Sequence, residues 1–584
     1  MNYQNPIYTE KTECQDCYKC LRNCPVKAIK VEGGAATVIP ELCILCGHCV
    51  EVCPNNAKRV RDDLASARQL LQLRPQVYVS LAPSFISEFD NVRPDQLIAA
   101  LRKLGFAGVS ETALGAQEVS AAVAATLQTN PSAVLLSTAC PTVVAYLQKH
   151  RHAEAQWMTP LLSPLLAHCR ILRATFGQQI GVIFVGPCIS KKTEADTHPD
   201  LLDVALTFQD LRRWLEIDKI DPATLLPTAD DVFVPHRAGE GAWYPVDGGM
   251  IAGIRANCAV NDCSMMSFSG IPAIQKAIEG LADLPPGEGV FLELLACEGG
   301  CVNGPKTQCR GRTAAKRSRI LRFRPEAQPA LIKVPIHADY QAMEIPVQKH
   351  SESQVREALR TVGKFSSDDE LNCGGCGYDS CLQFGQALLS GKAERTMCVT
   401  YMRKLAQKKA NALIAKMPSA VVIVSDTLKV LECNAAFAQL FGKDRCKPAD
   451  EAIRELEGVP LANVLPFSNL FNSVLRSGED MLDRDIRHTQ TILHVSIFTI
   501  EKHSIVGGII QDITRPSVQK GQVIRKAQEV IQKNLTTVQK IAYLLGENAA
   551  ESEITLNQII DSFSPPEPQD LETKSDDWRK LYRR

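Results

Sequence analysis

The residues of this chain that are best suited to chemistry are its cysteines. It occurs 22 times among 584 residues, and most copies stand in short groups whose spacings repeat. A thiolate is a soft metal ligand, and grouped cysteines without a secretion signal indicate metal binding rather than disulfides. The first residues, MNYQNPIYTEKTE, have no basic-then-apolar signal pattern. We therefore expect a cytoplasmic protein whose cysteines hold metal.

The first 60 residues contain the motif C-x2-C-x2-C-x3-C-P twice. In such pairs the first three cysteines of one copy hold a [4Fe-4S] cluster and the fourth ligates the other cluster. The pattern predicts a bacterial-type two-cluster ferredoxin fold over residues 1–60. A structural zinc site does not account for this doubled pattern with its prolines. The predicted ligands of the first cluster are Cys14, Cys17, Cys20 and Cys53, and those of the second are Cys43, Cys46, Cys49 and Cys24.

A later cysteine group lies within residues 350–400. Its spacing is C-x2-C-x4-C-x16-C, formed by Cys373, Cys376, Cys381 and Cys398. It resembles a small [4Fe-4S] module of redox and corrinoid proteins. A zinc ribbon is the alternative, although zinc sites usually pair two short C-x2-C turns and only one occurs here. We predict a third accessory [4Fe-4S] cluster.

Three segments of the central region place cysteine in unusual contexts. They are STACPT at 137–142, GPCISKKTEA at 186–195 and LACEGGCVNG at 295–304. Together they resemble the signatures of [FeFe]-hydrogenases, whose forms are roughly T-S-C-C-P, M-P-C-x-x-K-K-x-E and M-A-C-P-G-G-C in the same order. The resemblance covers residues 76–325, where β-branched runs alternate with helical patterns as in an α/β domain.

The resemblance implies an H-cluster, which is a [4Fe-4S] cluster joined to a di-iron subsite that carries CO and CN. Its ligands would be Cys140, Cys188, Cys297 and Cys301, with Cys301 as the bridge. Lys191 would donate a hydrogen bond to a cyanide. The alternative for Lys191 is a solvated surface lysine, which we expect its neighbour Lys192 to be. The implied substrates are H2 and protons, exchanged with ferredoxin or another electron carrier.

The central region also departs from the family pattern. Ala139 stands where catalytic relatives carry the cysteine that relays protons, and alanine has no exchangeable proton. Gly186 and Leu295 replace two methionines of the family pattern. Leu165 replaces a glutamine, and Glu298 replaces a proline. These departures predict an altered cavity and slow H2 turnover.

Few acidic residues remain for a proton path. Glu118 is alone in the helix AQEVSAAVAATLQ, where relatives place several acidic residues. Glu194 is retained from the family motif, and its alternative is an ordinary surface carboxylate. Cys258 and Cys263 are candidates for a replacement proton group, whereas we expect most leftover cysteines, including Cys169 and Cys309, to be core thiols.

The last third of the chain predicts a sensory region. A Pro-rich linker precedes the third cysteine group, and residues 411–515 alternate strand, helix and strand in a manner that resembles a PAS domain. The segment between Tyr401 and Arg487 contains no histidine, which disfavours a haem ligand, and we assign the PAS domain no cofactor. Residues 516–563 predict a signalling helix or coiled coil, which suits a homodimer.

The net charge of the chain indicates no particular binding partner. The chain has 65 basic and 65 acidic residues, so no net charge attracts it to nucleic acid or to an anionic membrane. No run of about 18 apolar residues is present. We expect neither nucleic acid nor a membrane as partner.

Three functions are compatible with these patterns. The leading hypothesis is a regulatory, H2-sensing [FeFe]-hydrogenase-like protein of an anaerobe, whose output passes to a signalling protein such as a kinase or phosphatase. The second is a working ferredoxin-linked hydrogenase, which Ala139 disfavours if turnover is to be fast. The third is a non-enzymatic iron-sulfur electron-transfer or assembly protein, in which Lys191 would have no cyanide to hold.

Overall fold

A computed structural model describes two compact units. Unit 1 comprises residues 1–394 and unit 2 residues 395–584. The described residues are 5–513, except 259–262, 286, 309–311, 324–332, 347, 349, 443–447 and 489–490. The predicted coiled coil at 516–563 and Cys309 therefore lie outside the described residues. No helix in the described part of the chain is both long enough and apolar enough to cross a membrane.

The first 60 residues form two small antiparallel pairs of strands with two short helices. Strand β1 pairs with β4, and β2 pairs with β3. The elements are β1 (Ile7–Thr9), α1 (Lys19–Arg22), β2 (Ile29–Glu32), β3 (Ala35–Val38), α2 (His48–Val52) and β4 (Lys58–Val60). Each copy of the cysteine motif thus contributes one helix, which begins just before its third cysteine.

The central region is an α/β domain built on two parallel sheets. One sheet has the order β6-β5-β8-β9 and the other β10-β11-β7. The strands are β5 (Val77–Leu81), β6 (Gly108–Glu111), β7 (Val134–Leu136), β8 (Gly181–Gly186), β9 (Val204–Thr207), β10 (Cys263–Ser269) and β11 (Gly289–Leu295). Strands β5, β8 and β11 are buried along their whole length, as expected where helices cover both faces of a parallel sheet. The predicted α/β class is confirmed.

Helices connect these strands and cover the sheets. They are α3 (Leu64–Leu73), α4 (Phe85–Glu88), α5 (Pro94–Lys103), α6 (Ala113–Thr129), α7 (Pro141–His150), α8 (Pro164–Phe176), α9 (Lys191–Thr197), α10 (Phe208–Ile217), α11 (Gly249–Asn257), α12 (Ile271–Ile278) and α13 (Thr313–Arg322). Parallel strands need such crossovers, so the carboxyl ends of neighbouring strands open toward one side of each sheet.

The rest of unit 1 is a two-helix segment around the third cysteine group. Helices α14 (Glu352–Arg360) and α15 (Cys381–Leu389) pack on each other. This segment also contacts the first 60 residues, because the Val31 amide donates to the Lys392 carbonyl at 3.0 Å and the Gly33 amide to Glu394 Oε1 at 2.7 Å. The segment is therefore folded onto the N-terminal module and is not merely a linker.

Unit 2 begins with α16 (Val399–Lys416), which agrees with the predicted connecting helix. It continues into a five-stranded antiparallel sheet of order β13-β12-β16-β15-β14. The further elements are β12 (Ala420–Val424), β13 (Val430–Cys433), α17 (Ala435–Phe441), α18 (Ala449–Leu456), α19 (Ser468–Ser477), β14 (Met481–His488), β15 (Thr491–Glu501) and β16 (Ile505–Asp512). The side chain of Asn434 caps α17 by accepting from the Phe437 amide at 2.9 Å. The mixed strand and helix pattern is the predicted one.

A buried histidine ties the core of the central domain together. His168 on α8 is fully buried, and its two ring nitrogens lie 2.8 Å from Ser80 Oγ and 2.8 Å from Ser110 Oγ. Ser80 and Ser110 belong to neighbouring strands β5 and β6. Because burial is not offset by a charged group among the described residues, it lowers the pKa of His168 to about 3. The neutral ring therefore links both strands to the helix.

This burial predicts a specific acid sensitivity. The pKa of His168 in the folded chain lies below its ordinary value of 6.5. Below about pH 6.5 the unfolded chain therefore binds a proton at this histidine that the folded chain does not bind. The contribution to stability is complete above about pH 6.5 and falls by roughly 1.4 kcal/mol per pH unit below it. Between pH 7.5 and 5.5 we expect the melting temperature of the wild type to fall more steeply than that of His168→Gln, measured by calorimetry on the cluster-loaded protein.

The exposed His152 supplies a control for this measurement. His152→Gln should reproduce the wild-type pH profile. Parallel profiles for wild type and His168→Gln would refute the assignment.

Candidate metal centre

The two N-terminal cysteine loops fold in the same way. Backbone φ is positive at equivalent positions of both copies, namely at Asp16, Tyr18 and Lys27 in the first and at Leu45, Gly47 and Asn56 in the second. Left-handed backbone is costly for residues other than glycine and persists where the surroundings demand it. The repeated geometry curls each loop so that its sulfurs face one point.

The cysteines of these loops group as the spacing predicts. Burial raises the pKa of Cys20 to about 11, and Cys17, Cys14 and Cys53 add to the shift as neighbouring charges. Burial also raises the pKa of Cys49 well above its ordinary value, with Cys46, Cys43 and Cys24 as its neighbours. The structure therefore brings Cys53 to the first group and Cys24 to the second. Backbone amides donate to some sulfurs, such as the Ala28 amide to Cys24 Sγ at 3.2 Å.

The four cysteines of the central domain all follow the carboxyl end of a strand. Cys140 comes after β7 and caps α7, Cys188 comes after β8, and Cys297 and Cys301 come after β11. Strands β7 and β11 belong to one sheet and β8 to the other, so the cysteines meet where the two sheets open. This is the side on which α/β proteins bind ligands.

The electrostatics of these four sulfurs show that they converge. Burial raises the pKa of Cys297 well above its ordinary value, and Cys301, Cys188 and Cys140 add to the shift. Burial likewise raises the pKa of Cys188 to about 11, with Cys140 as the next contribution and Lys191 opposing it. Within the described ranges no three His, Cys, Asp or Glu side chains are grouped for a single metal ion.

The loop between Cys297 and Cys301 depends on glycine. Gly300 has φ of +93°, and a Cβ atom there would lie 2.2 Å from the Pro245 carbonyl oxygen. A side chain at this position would be strained both by the backbone and by the contact. The two sulfurs can face one centre because the backbone passes this closely.

A small cavity of about 110 Å³ lies beside Cys140, Cys188 and Cys301. Its walls are mainly apolar and include Ala82, Pro83, Ala113, Leu165 and Leu295. A group with CO ligands suits such walls, whereas its cyanides would need hydrogen-bond donors.

The cavity supplies those donors through Lys191 and Ser84. Ser84 is 1% exposed, and its Oγ atom has no hydrogen-bond partner in the described part of the chain. An unpartnered buried hydroxyl is costly unless a ligand satisfies it. The donor set therefore fits a di-iron group with cyanide ligands. Ser84 was missed in the sequence, where its only signal is its place directly after strand β5.

Lys191 is buried beside the cavity, so the surface alternative does not hold for it. Its Nζ atom donates to Glu194 Oε2 at 2.8 Å and to Ser163 Oγ at 3.1 Å. Glu194 is also buried and is not an ordinary surface carboxylate. The pair fixes the ammonium at the cavity wall, with one carboxylate as its counter-charge.

The expectation that Lys192 is a solvated surface lysine is wrong. Lys192 is 0% exposed, and its Nζ atom donates to Asp63 Oδ2 at 2.8 Å, the Ala205 carbonyl at 3.1 Å and Asp210 Oδ2 at 3.4 Å. It joins the start of α3 to β9 and α10. The local sequence around Lys192 does not predict these partners, because Asp63 in particular lies far from it along the chain.

Two positions that depart from the family pattern bear on the walls of this cavity. Ala139 lines it and offers no exchangeable proton. At Gly186, a Cβ atom would lie 2.3 Å from Cζ of the Phe184 ring, which itself lines the cavity. Phe184 therefore fills the space that a side chain at position 186 would need.

Other side chains with an exchangeable proton are found both at the cavity wall and in the hydrophobic core. Tyr244 lines the cavity, and its hydroxyl lies 2.8 Å from Ser120 Oγ. Burial raises the pKa of Glu293 on β11 to about 7. Cys169 and Cys258 are part of the hydrophobic core, and Cys263 packs against it. Neither Cys258 nor Cys263 is a cavity residue in the described part of the chain.

The third cysteine group falls across the boundary between the two units. Cys373, Cys376 and Cys381 lie in unit 1, and Cys398 begins α16 in unit 2. Within unit 1 the Cys381 amide donates to Asn372 Oδ1 at 2.7 Å, which holds the loop to the start of α15.

Comparison with known proteins agrees with this geometry. The model for the iron only hydrogenase large subunit, C-terminal domain, matches residues 71–305. The central region is an iron-only hydrogenase-like domain. Further models match the hydrogenase domain's neighbours: a 4Fe-4S dicluster domain at 6–54, an Fe-S cluster family at 369–400 and a PAS domain at 409–477. The resemblance inferred from the cysteine segments is thus confirmed, and iron-sulfur clusters are cofactors of this chain.

Individual relatives are distant. Iron hydrogenase 1 of Clostridium pasteurianum is 24% identical over 303 residues, which are 42% of this chain and 51% of that protein. The NADP-reducing hydrogenase subunit HndD of Solidesulfovibrio fructosivorans is 23% identical over 373 residues, 51% of this chain and 64% of that protein. The chain thus spans less than two thirds of the length of either curated relative.

Solved structures of [FeFe]-hydrogenases are also similar. A variant of HydA1 from Chlamydomonas reinhardtii has a TM-score of 0.36 and 17% identity, and the match covers 48% of this chain and 99% of that one.

The loop around Gly300 yields a test of the cysteine site. Gly300→Ala should lose the cluster of the hydrogenase domain, because the added methyl group would overlap the Pro245 carbonyl. Gly177→Ala is the matched control, since φ there is +101° but a Cβ atom meets nothing within 4 Å. Iron and sulfide analysis should show the loss of one [4Fe-4S] equivalent in Gly300→Ala alone. Equal iron content in both variants would contradict the proposed ligand loop.

Proposed function

We propose that this chain is a regulatory, H2-sensing [FeFe]-hydrogenase-like protein with low turnover. Cys140, Cys188, Cys297 and Cys301 would hold the [4Fe-4S] part of an H-cluster, and Cys301 would bridge to its di-iron part. The observation that carries the proposal is the lining of one cavity. Lys191 and Ser84 are donors that would anchor a di-iron group there. Ala139, in contrast, offers no proton at the position of the family's proton relay.

The chain's own residues would each have a separate role at this site. Lys191 donates from a fixed position, since Glu194 and Ser163 hold its ammonium. Ser84 offers a second donor from a buried hydroxyl. The apolar walls exclude water from the remaining surface. When bound, an H-cluster supplies the chemistry of heterolytic H2 splitting and formation.

Slow proton exchange is what separates a sensor from a fast enzyme in this proposal. Fast proton transfer needs a donor within hydrogen-bond reach of the reacting group. At position 139 the methyl group of alanine cannot fill that role. H2 would then change the redox state of the clusters without rapid release of product.

The accessory parts would carry the signal. We assign three accessory [4Fe-4S] clusters to the cysteine groups at 14–53 and 373–398, and a PAS domain without an assigned ligand. Burial raises the pKa of Cys433 in the PAS core to about 11, so this thiol is not prepared as a thiolate ligand. The output would pass to a cytoplasmic kinase or phosphatase, and the PAS domain and the coiled coil predicted at 516–563 would form a homodimer.

Infrared spectroscopy of anaerobically matured protein tests the proposal. We expect CO and CN stretching bands that shift under H2 while H2 turnover stays slow. Rapid turnover with the same bands would instead identify a working ferredoxin-linked hydrogenase. Absence of bands after proven maturation would leave an iron-sulfur electron carrier.

The Lys191 anchor has its own test. Removing Lys191 alone would leave Glu194 buried and unpaired, which is strongly destabilising. The double variant Lys191→Met with Glu194→Gln avoids this charge. It should lose the CO and CN bands and keep the electron paramagnetic resonance (EPR) signal of the [4Fe-4S] cluster, because only the di-iron part loses its donor.

The single variant Glu194→Gln is the matched control. It retains the ammonium with a neutral acceptor and should keep the bands. Wild-type band intensity in the double variant would refute the anchoring role.

A further inference from the structure

The third cysteine segment is docked on the second cysteine group of the N-terminal module. Gly377 has φ of +93°, and a Cβ atom there would lie 2.8 Å from Cγ of Leu21. Leu21 stands between Cys20 and Cys24, and Gly377 follows Cys376 directly. The Gly377 backbone therefore packs directly against the Leu21 side chain, and both the positive φ and this contact favour glycine.

Basic side chains of the N-terminal module hold this contact. Lys27 Nζ donates to the Gly377 carbonyl at 2.9 Å and forms an ion pair with Asp379 at 3.2 Å. Arg22 donates to the Gly375 carbonyl at 3.3 Å. The Val31 and Gly33 amides add two more hydrogen bonds to the segment. The segment is therefore joined to α1, to β2 and to the loop between them.

A cleft of about 650 Å³ shows what else meets there. Cys24 and Cys46 line it from the N-terminal module, Cys297 from the hydrogenase domain and Asp379 from the third segment. One cleft thus borders two cysteine groups and the segment that carries the third. The second N-terminal group is the one that faces both others.

Tyr378 lies at the contact between the third segment and this group. It is 5% exposed, its ring lies 6.0 Å from that of Phe384, and its hydroxyl has no hydrogen-bond partner among the residues that the structure describes. Both Cys376 and Cys24 are near enough to act on its hydroxyl as charges. A buried phenol without a partner is costly, and the sulfur of an iron-sulfur cluster would accept its hydrogen bond.

We propose that the third centre exchanges electrons with the second N-terminal centre, the one held by Cys24, Cys43, Cys46 and Cys49, and that Tyr378 donates its hydroxyl to a sulfur at this contact. The second N-terminal centre is then the junction between the hydrogenase domain and the third centre. Each step moves one electron, which oxidises one cluster and reduces the other without a proton. The electrons come from a reduced carrier or from H2. This inference rests on the iron-sulfur cofactors and only deepens the proposed function.

The two copies of the cysteine motif provide a matched pair of variants. Cys46→Ser should remove the second N-terminal centre, and Cys17→Ser, at the equivalent position, should remove the first. In full-length protein reduced with dithionite, EPR should show magnetic broadening of the third centre by a neighbouring reduced cluster. We expect Cys46→Ser to abolish this broadening and Cys17→Ser to keep it. The reverse result, or no broadening in the wild type, would overturn the proposal.

Two milder variants keep the test decisive if Cys46→Ser does not fold. Lys27→Met removes the ion pair at the contact and should weaken the broadening. Tyr378→Phe should lower the reduction potential of one of the two centres, because a lost donor disfavours the more negative reduced state. A threefold to tenfold change in the reduction equilibrium corresponds to about 30 to 60 mV.

Tyr340→Phe is the control for the potential, since the Tyr340 hydroxyl donates to the Leu161 carbonyl at 2.8 Å. It should move neither potential. Unchanged potentials in Tyr378→Phe would refute its role at the contact. None of these measurements uses H2. A negative result here would therefore not affect the infrared test of the proposed function, and a negative infrared result would not affect the electron-transfer contact proposed here.

Discussion

A cysteine removed from water keeps its proton unless a cation replaces the solvation that its thiolate loses. The structure imposes this constraint repeatedly, since burial raises the pKa of sulfurs such as Cys49 and Cys297 well above the ordinary value. Iron ions supply the compensating charge, so cluster binding and the folding of these loops are coupled. The left-handed residues of the N-terminal loops and Gly300 of the central loop are the backbone cost of aiming several sulfurs at one point.

The cavity beside Cys301 separates binding from turnover. Apolar walls accept neutral ligands, and the buried Lys191 ammonium with the Ser84 hydroxyl supplies donors. Glu194 and Ser163 hold the Lys191 Nζ atom there by hydrogen bonds that offset the cost of its burial. The replacements at 139 and 186 act on other properties: Ala139 removes a proton donor, and Gly186 makes room for the Phe184 ring. In the proposed function, the site would therefore keep its cofactor donors without a proton donor at position 139.

The arrangement of the cysteine groups in unit 1 suits relay of electrons within one chain. One cleft is bordered by Cys24 of the second N-terminal group, Cys297 of the central group and Asp379 of the third segment. The contact is polar and charged at its rim, through Lys27 and Arg22, and closely packed at Gly377 and Leu21. Such a contact fixes the distance between redox centres, which is what electron transfer requires of the protein.

The N-terminal ligand groups and the fold class could be predicted from local sequence. Spacing within one loop indicates which sulfurs can reach one cluster, and the pattern of buried strands and helices indicates the α/β class, because both depend on residues close together in the chain. The four central cysteines come from three distant segments, and in the sequence only the family resemblance grouped them. The burial of Lys191 and Lys192, the unpartnered Ser84 hydroxyl and the ring of Phe184 were decided only by the tertiary structure. Lys192 meets Asp63 and Asp210, and Gly377 meets Leu21, across long stretches of chain. Packing of distant segments sets these contacts, and no local periodicity encodes it.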